Sequence, residues 1–330
     1  MNAINTEGGG KSTEISLLRF LSMIMIIACH MLQYYDNELC RWFNIGVQVF
    51  FVISGFLYGK KEICNPIQFF QKTFIKILVP YYTFIVVAVS LYLLYHPELL
   101  SPNCLLKVIT CSGTIKGLGH LWFVGYILFC YAITPYLYWL RISIRQYSHN
   151  KKLTIYVIVL LSVQILSLAY NSYFIPDRIS CYIVGFFLAD ILTWNDRKIS
   201  FVQIMIVLLA ISLNGVEVLG RYISPDLIAI MGETVFNAIS RYGHCILGIS
   251  LFTVLKVIFK NIRRNSLLDF SDKYSYSIYI VHLLFILSPF SLMRITPVTA
   301  INWTLVVVSV LISGILLNKT SELIQKELFN

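Results

Sequence analysis

Arg19 and His30 stand eleven positions apart in EISLLRFLSMIMIIACHMLQYY, the apolar stretch from Glu14 to Tyr35. At about 100° per residue that spacing is about three helical turns, so one stripe of a helix carries both side chains, roughly 16 Å apart. The pair joins a permanent cation, which can hold an anion, to an imidazole, which can take a proton near neutral pH. The stretch is about as long as a bilayer-crossing helix, roughly 20 residues. Ionisable groups inside such a helix face protein or a water-filled cavity and mark function by default. Snorkelling to the headgroups would explain Arg19 alone, and a hydrogen-bonded interior imidazole would explain His30 alone. Neither explains their register. Cys29 beside His30 suggests an acyl-cysteine route, but it points about 100° away from the stripe.

Other polar residues sit in apolar surroundings. Lys72 and Lys76, four apart in FFQKTFIKILVPYY, share one helical face. They read either as anchors at the membrane surface or as two ammonium groups receiving a polyanion. Pro80 should kink this helix and free a carbonyl, and Tyr81 and Tyr82 add hydroxyls close by. NIGVQVFFVISGF offers Gly46, Ser54 and Gly55 as small positions, suited to close helix packing or to shaping a cavity opposite Arg19 and His30. His120 and Trp122 lie in GHLWFVGY, where an interfacial aromatic belt is a sufficient reason for the Trp. Arg241 and His244 lie three apart in a later apolar run, and His282 follows SYSIYIV. Each of these reads as a satisfied core residue or as part of a site.

The elements that position them follow from composition. With 330 residues, 58% hydrophobic and only 13% charged, and a mean hydropathy of +0.75, the chain is an integral membrane protein rather than a soluble one. Apolar runs near 14–35, 42–59, 74–95, 121–140, 153–170, 178–194, 200–219, 235–259, 274–293 and 298–318 predict an all-α, polytopic protein with about ten transmembrane helices. Residues 1–13 read as a flexible cytoplasmic N-terminus, 14–318 as a single transmembrane domain and 319–330 as a cytoplasmic tail. The long connection 97–120 contains LLKVIT, too short to span and suited to lying at the interface or re-entering.

The net charge of +10 falls in short clusters between apolar runs, which argues for membrane orientation and against a nucleic-acid partner. With the N-terminus placed inside, the inner segments hold eighteen of the 26 Lys and Arg and the outer segments six, while Arg19 and Arg241 lie within spans. That bias favours both termini in the cytoplasm. GGGKST at 8–13 mimics a phosphate loop but lacks the earlier glycine and the preceding strand that the motif needs. Eight cysteines show no metal-ligand spacing, so no metal is expected, and a Cys104–Cys111 disulfide would need an oxidising outer face. No internal repeat is visible, which weighs against the main rival, a transporter or flippase for a glycan or lipid. A purely structural membrane subunit is a third reading.

Taken in order, Arg19 and His30, NIGVQVFFVISGF at 44–56, KTFIKILVPYY at 72–82, HLWFVGY from His120 to Tyr126 and YSYSIYIVH at 274–282 resemble the motifs of the acyltransferase 3 family of bacterial integral-membrane acyltransferases. The resemblance implies a multi-pass protein of the bacterial inner membrane with ten core helices. It implies transfer of an acyl group, most often acetyl from cytosolic acetyl-CoA as co-substrate, onto a hydroxyl of a surface polysaccharide or lipid-linked glycan. Carried over by position, His30 is the catalytic histidine, Arg19 the partner that positions donor or histidine, and Lys76 the basic residue at the donor mouth, with Lys72, Tyr81 and Tyr82 beside it. Ser54, His120, Trp122, Arg241, His244 and His282 are further cavity candidates. Lysines replace the arginines usual at the mouth, and Val79 stands where the family often has a first proline.

Overall fold

The computed structural model describes residues 12–169, 176–191 and 201–329. Lys11, Arg197, Lys198 and most of the GGGKST run lie outside the described residues. Every regular element among the described residues is helical: α1 (Thr13–Tyr34), the short α2 (Cys40–Phe43), α3 (Ile45–Gly59), α4 (Pro66–Tyr95), α5 (Pro102–Ile109), α6 (Trp122–Ser143), α7 (His149–Ala169), α8 (Pro176–Ile191), α9 (Phe201–Val218), α10 (Asp226–Met231), α11 (Glu233–Ile258), α12 (Ser266–Ile286) and α13 (Thr299–Phe329). Over their described residues the ten apolar runs each overlap a helix, although the run at 274–293 outlasts α12, which ends at Ile286. Among the described residues, seven helices are long and apolar enough to cross a membrane: α1, α2 with α3, α4, α6, α9, α11 and α13, some with their adjoining turns. Of the remaining three, α8 has 16 described residues, α12 carries Asp269, Asp272 and Lys273 in its first half, and α7 is apolar after its polar opening at His149–Lys152.

α3 is apolar on nearly every side and is buried to match, with Phe51, Val52, Ile53 and Phe56 all at 1% exposure or less. Lipid tails are as apolar as a core, so close packing rather than burial from water holds such a helix to its neighbours. The small residues provide that contact. A Cβ on Gly55 would lie 1.9 Å from the Tyr182 carbonyl oxygen of α8, and one on Gly185 would lie 2.3 Å from the Val52 oxygen of α3. Gly46 meets α1 the same way, 2.7 Å from the Ser22 oxygen. Gly46 and Gly55 are therefore packing positions.

The starts of α1 and α12 and the end of α11 meet on one face, where Glu14 pairs with Lys256 at 3.9 Å and Ser16 Oγ donates to Asp272 at 2.7 Å. We call this the amino-terminal face. α4 remains helical through Pro80, and the Ile77 carbonyl, one turn before that proline, accepts from Tyr276 Oη of α12 at 3.0 Å. Within the 97–120 connection, α5 enters the bundle: Val108 is 1% exposed and its carbonyl accepts from Tyr81 Oη at 2.7 Å, halfway along α4. Tyr82 Oη donates to the Ile109 carbonyl at 2.7 Å, and Tyr92 Oη to that of Lys116 at 2.6 Å. The chain thus descends beside α4 and climbs back. Gly117, at φ +84°, closes this path against Ser288. All eight cysteines are free, so the Cys104–Cys111 bridge is absent; Cys104 Sγ instead lies 3.5 Å from the Thr114 carbonyl.

Candidate active site

Three imidazoles from distant parts of the chain meet at the end of the bundle away from the amino-terminal face. His30 comes from the last turns of α1, His120 from the 3-10 turn before α6, and His282 from α12. The His30 and His282 rings lie 5.2 Å apart and the His120 and His282 rings 4.8 Å. Each ring has one nitrogen fixed by a hydrogen bond. His120 Nε2–H donates to the Ile280 carbonyl at 2.8 Å and His282 Nδ1–H to the Tyr279 carbonyl at 2.5 Å. With a carbonyl as partner, that nitrogen must carry the proton in a neutral ring. The opposite nitrogens, His120 Nδ1 and His282 Nε2, are then bare acceptors, buried and without a partner among the described residues. His30 is less enclosed, and its Nδ1 lies 2.9 Å from Gln33 Oε1 one turn on. Donation to that oxygen leaves His30 Nε2 free to take a proton.

Arg19, at the other end of the stripe, lines a cavity of about 600 Å³ that opens on the amino-terminal face. Its guanidinium meets Asp272 at 2.6 Å, and Asp272 is only 2% exposed. Arg264 holds the other oxygen of that carboxylate at 2.8 Å. A buried charge is retained only when paired and hydrogen-bonded, and Asp272 satisfies this with two guanidiniums and Ser16 Oγ. Lys76 and Lys273 add cations to the cavity wall, Ser54 and Tyr131 add hydroxyls, and Phe123 and Tyr279 lie deepest along the stripe. Those two rings stand 4.9 Å apart. Tyr279 connects the two groups: it lines the cavity, donates its hydroxyl to the His120 carbonyl at 2.9 Å, and lies 5.4 Å from the His282 ring.

The remaining expected residues are placed elsewhere. Lys72 is exposed and does not line this cavity. Tyr81 and Tyr82 turn their hydroxyls to α5 rather than to the cavity mouth, because the descending chain leaves carbonyls there that need donors. Trp122 lies under the Arg178 guanidinium at 4.5 Å. His244 sits 3.0 Å from Glu217, which Arg221 also holds at 2.9 Å, with the Trp42 ring tilted against the imidazole at 5.3 Å. No hydrogen bond, ion pair or ring contact among the described residues joins His244 to the imidazole trio. Arg241 is exposed. Cys29 is buried at 5%. No metal-binding group of His, Cys, Asp or Glu occurs among the described residues, the trio included.

Gln33, Asp272, Lys273 and Tyr279 escaped the sequence reading. Gln33 was within reach of it, since an amide three residues after an imidazole shares its helix face. Asp272 was not, because 253 residues separate it from Arg19.

A cation-lined cavity at one end of the α1 stripe and a cluster of imidazoles with bare nitrogens at the other suit group transfer, and the sequence agrees: residues 12–318 match the model of the acyltransferase 3 family, described as an acyltransferase domain, and the chain belongs to that family. No curated protein and no solved structure matches it.

Proposed function

We propose that this membrane acyltransferase moves an acyl group, acetyl first among the candidates, from acyl-CoA to a hydroxyl of a cell-surface or lipid-linked glycan. The amino-terminal face is assigned to the cytoplasm, in keeping with its excess of Lys and Arg. That orientation suits a bacterial inner membrane with both termini inside. The observation that carries the reading is the pairing on α1 of a cation in an open cavity with a half-buried imidazole whose Nδ1 is already held.

CoA phosphates belong at the mouth with Lys76 and Lys273, and the pantetheine arm belongs along Ser54 and Tyr131 toward Phe123 and Tyr279. His30 Nε2 takes the proton of the acceptor hydroxyl as that oxygen attacks the thioester carbonyl. The tetrahedral intermediate collapses, the C–S bond breaks, and the imidazolium returns its proton to the departing sulfur. The products are a glycan ester and free CoA. The deep rings keep water away from the thioester until the acceptor arrives. Arg19, tied to Asp272, holds the start of the stripe in place and contributes positive potential to the cavity.

The test is acylation by purified, folded His30→Ala with acyl-CoA binding measured alongside. Turnover should fall by roughly 10²- to 10⁴-fold, the usual contribution of a positioned acid or base, while donor binding stays. Near-normal acylation would overturn the reading and bring a transporter of glycan or lipid forward.

A further inference from the structure

A second cavity, of about 520 Å³, lies between the end of α3, the end of α6, the start of α7 and the end of α8. It belongs to the same face as the first, since Lys60 on its rim and Lys256 beside Glu14 both lie over the Phe56 ring, at 4.7 and 5.5 Å. Nothing in the acyl-transfer scheme uses it. Lys60, Arg141, Arg145 and Lys152 line it, against the carboxylates of Glu62 and Asp190, and His149, Tyr138 and Tyr156 are the other titratable groups. The balance is positive even with that imidazole neutral. Asp190 is already engaged, 3.9 Å from Arg141 and 3.3 Å from Tyr156 Oη. Arg141 is also held in place by the Tyr138 and Phe186 rings, 5.2 and 5.5 Å from its guanidinium carbon. The first turn of α7 forms part of the wall, and the free N–H groups of a helix start add to the positive potential.

Orientation in the membrane explains basic residues at helix ends. It does not explain why four of them surround one concavity with one guanidinium held by stacking and an ion pair. The cavity also has an apolar margin: Ile142 and Leu153 line it yet are 47% and 46% exposed, and Trp139 nearby is 61% exposed. A ligand that places a phosphate inside and hydrocarbon along that margin satisfies both features. We propose that this cavity binds the phosphodiester headgroup of an anionic phospholipid, with the acyl chains lying along Ile142 and Leu153. A soluble phosphate compound shares the anion but makes no use of the margin.

The experiment uses the full chain purified in neutral detergent, with phosphatidylglycerol and phosphatidylcholine of identical chains as probes and retention read by native mass spectrometry. Wild type should retain phosphatidylglycerol in preference to phosphatidylcholine, and less of it as salt is raised. Arg145→Gln with Lys152→Gln should weaken retention by about 25-fold, at about five-fold for each basic side chain near an anionic headgroup. Lys61→Gln with Lys151→Gln removes the same charge just outside the cavity and should change retention less than about two-fold, since only cavity-lining charges touch the headgroup. Equal losses in the two variants would reduce the effect to general surface charge and sink the proposal. Full displacement by millimolar inorganic phosphate, or equal retention of phosphatidylcholine, would sink it too, the former in favour of a soluble phosphate ligand. Raised salt tests the wild-type chain without any substitution, so a variant that fails to fold does not shield the proposal.

Discussion

Gln33 gives His30 its orientation, and the two residues can be separated experimentally. Gln33→Ala should lower turnover by less than His30→Ala does and leave the KM for acyl-CoA unchanged, because it loosens the imidazole without touching the donor cavity. Equal losses from both variants would assign Gln33 a direct role instead. Lys76 and Lys72 divide in the same way. Lys76→Gln should raise donor KM in a salt-sensitive manner, whereas Lys72→Gln should not, since only Lys76 lines the cavity. Asp272→Asn should cost about 1.5–3 kcal/mol of stability by weakening hydrogen bonds to two guanidiniums, read as a lower midpoint of thermal unfolding in detergent. The Arg19–His30 stripe could be read from sequence because both residues lie on one helix and helical periodicity fixes their register. The Asp272 partner could not, since no local rule connects residues that meet only when α1 and α12 pack together. For the same reason His282 was visible as an intramembrane imidazole while its neighbours His30 and His120 were not visible as such.

Among the elements, α3 and α8 are held by glycines that admit the opposing backbone. Gly55→Ala would push a methyl group into the Tyr182 carbonyl, forcing the two helix axes apart at a cost of about 1–3 kcal/mol. Gly119→Ala meets nothing within 4 Å and serves as the control in the same unfolding measurement. The sequence marked Gly46 and Gly55 as close-approach positions but left open which helix would approach, because small residues announce a contact and not its partner. Tyr81 shows the limit of reading by proximity along the chain. Five residues beyond Lys76, it was expected at the mouth, but the backbone of α5 claims its hydroxyl. Tyr81→Phe should therefore loosen α5, seen as faster amide exchange at Val108 and its neighbours, and leave donor KM unchanged. A raised KM would restore the tyrosine to the donor site.

At the scale of the molecule, the bundle puts Lys and Arg mostly on one face and exposes apolar side chains around its middle. Examples are Val86 at 67% and Leu94 at 75% on α4 and Ile165 at 66% on α7, surfaces that lipid is expected to cover. Cysteines introduced beside Arg145 and beside Lys107 should react with a membrane-impermeant reagent from opposite sides, and reaction of both from one side would overturn the assignment of faces. The helices could be read from hydropathy alone, while their boundaries could not: α12 begins at Ser266, ahead of the apolar run that predicted it, and α13 continues to Phe329, past the expected end at 318. Charged residues end a hydropathic run without ending a helix, since solvent outside the bilayer accepts them.

The continuation of α13 bears on what the Arg19 cavity can admit. Ser321, Glu322 and Gln325 line the Arg19 cavity, and Glu322 pairs with Lys273 across it at 3.4 Å. All three lie past residue 318, where the match to the family ends. One wall of this opening is therefore drawn from sequence outside the matched domain. If this cavity takes the acyl donor as proposed, the length and charge of the helical overhang would bear on which donor is admitted while leaving the Arg19–His30 pair untouched.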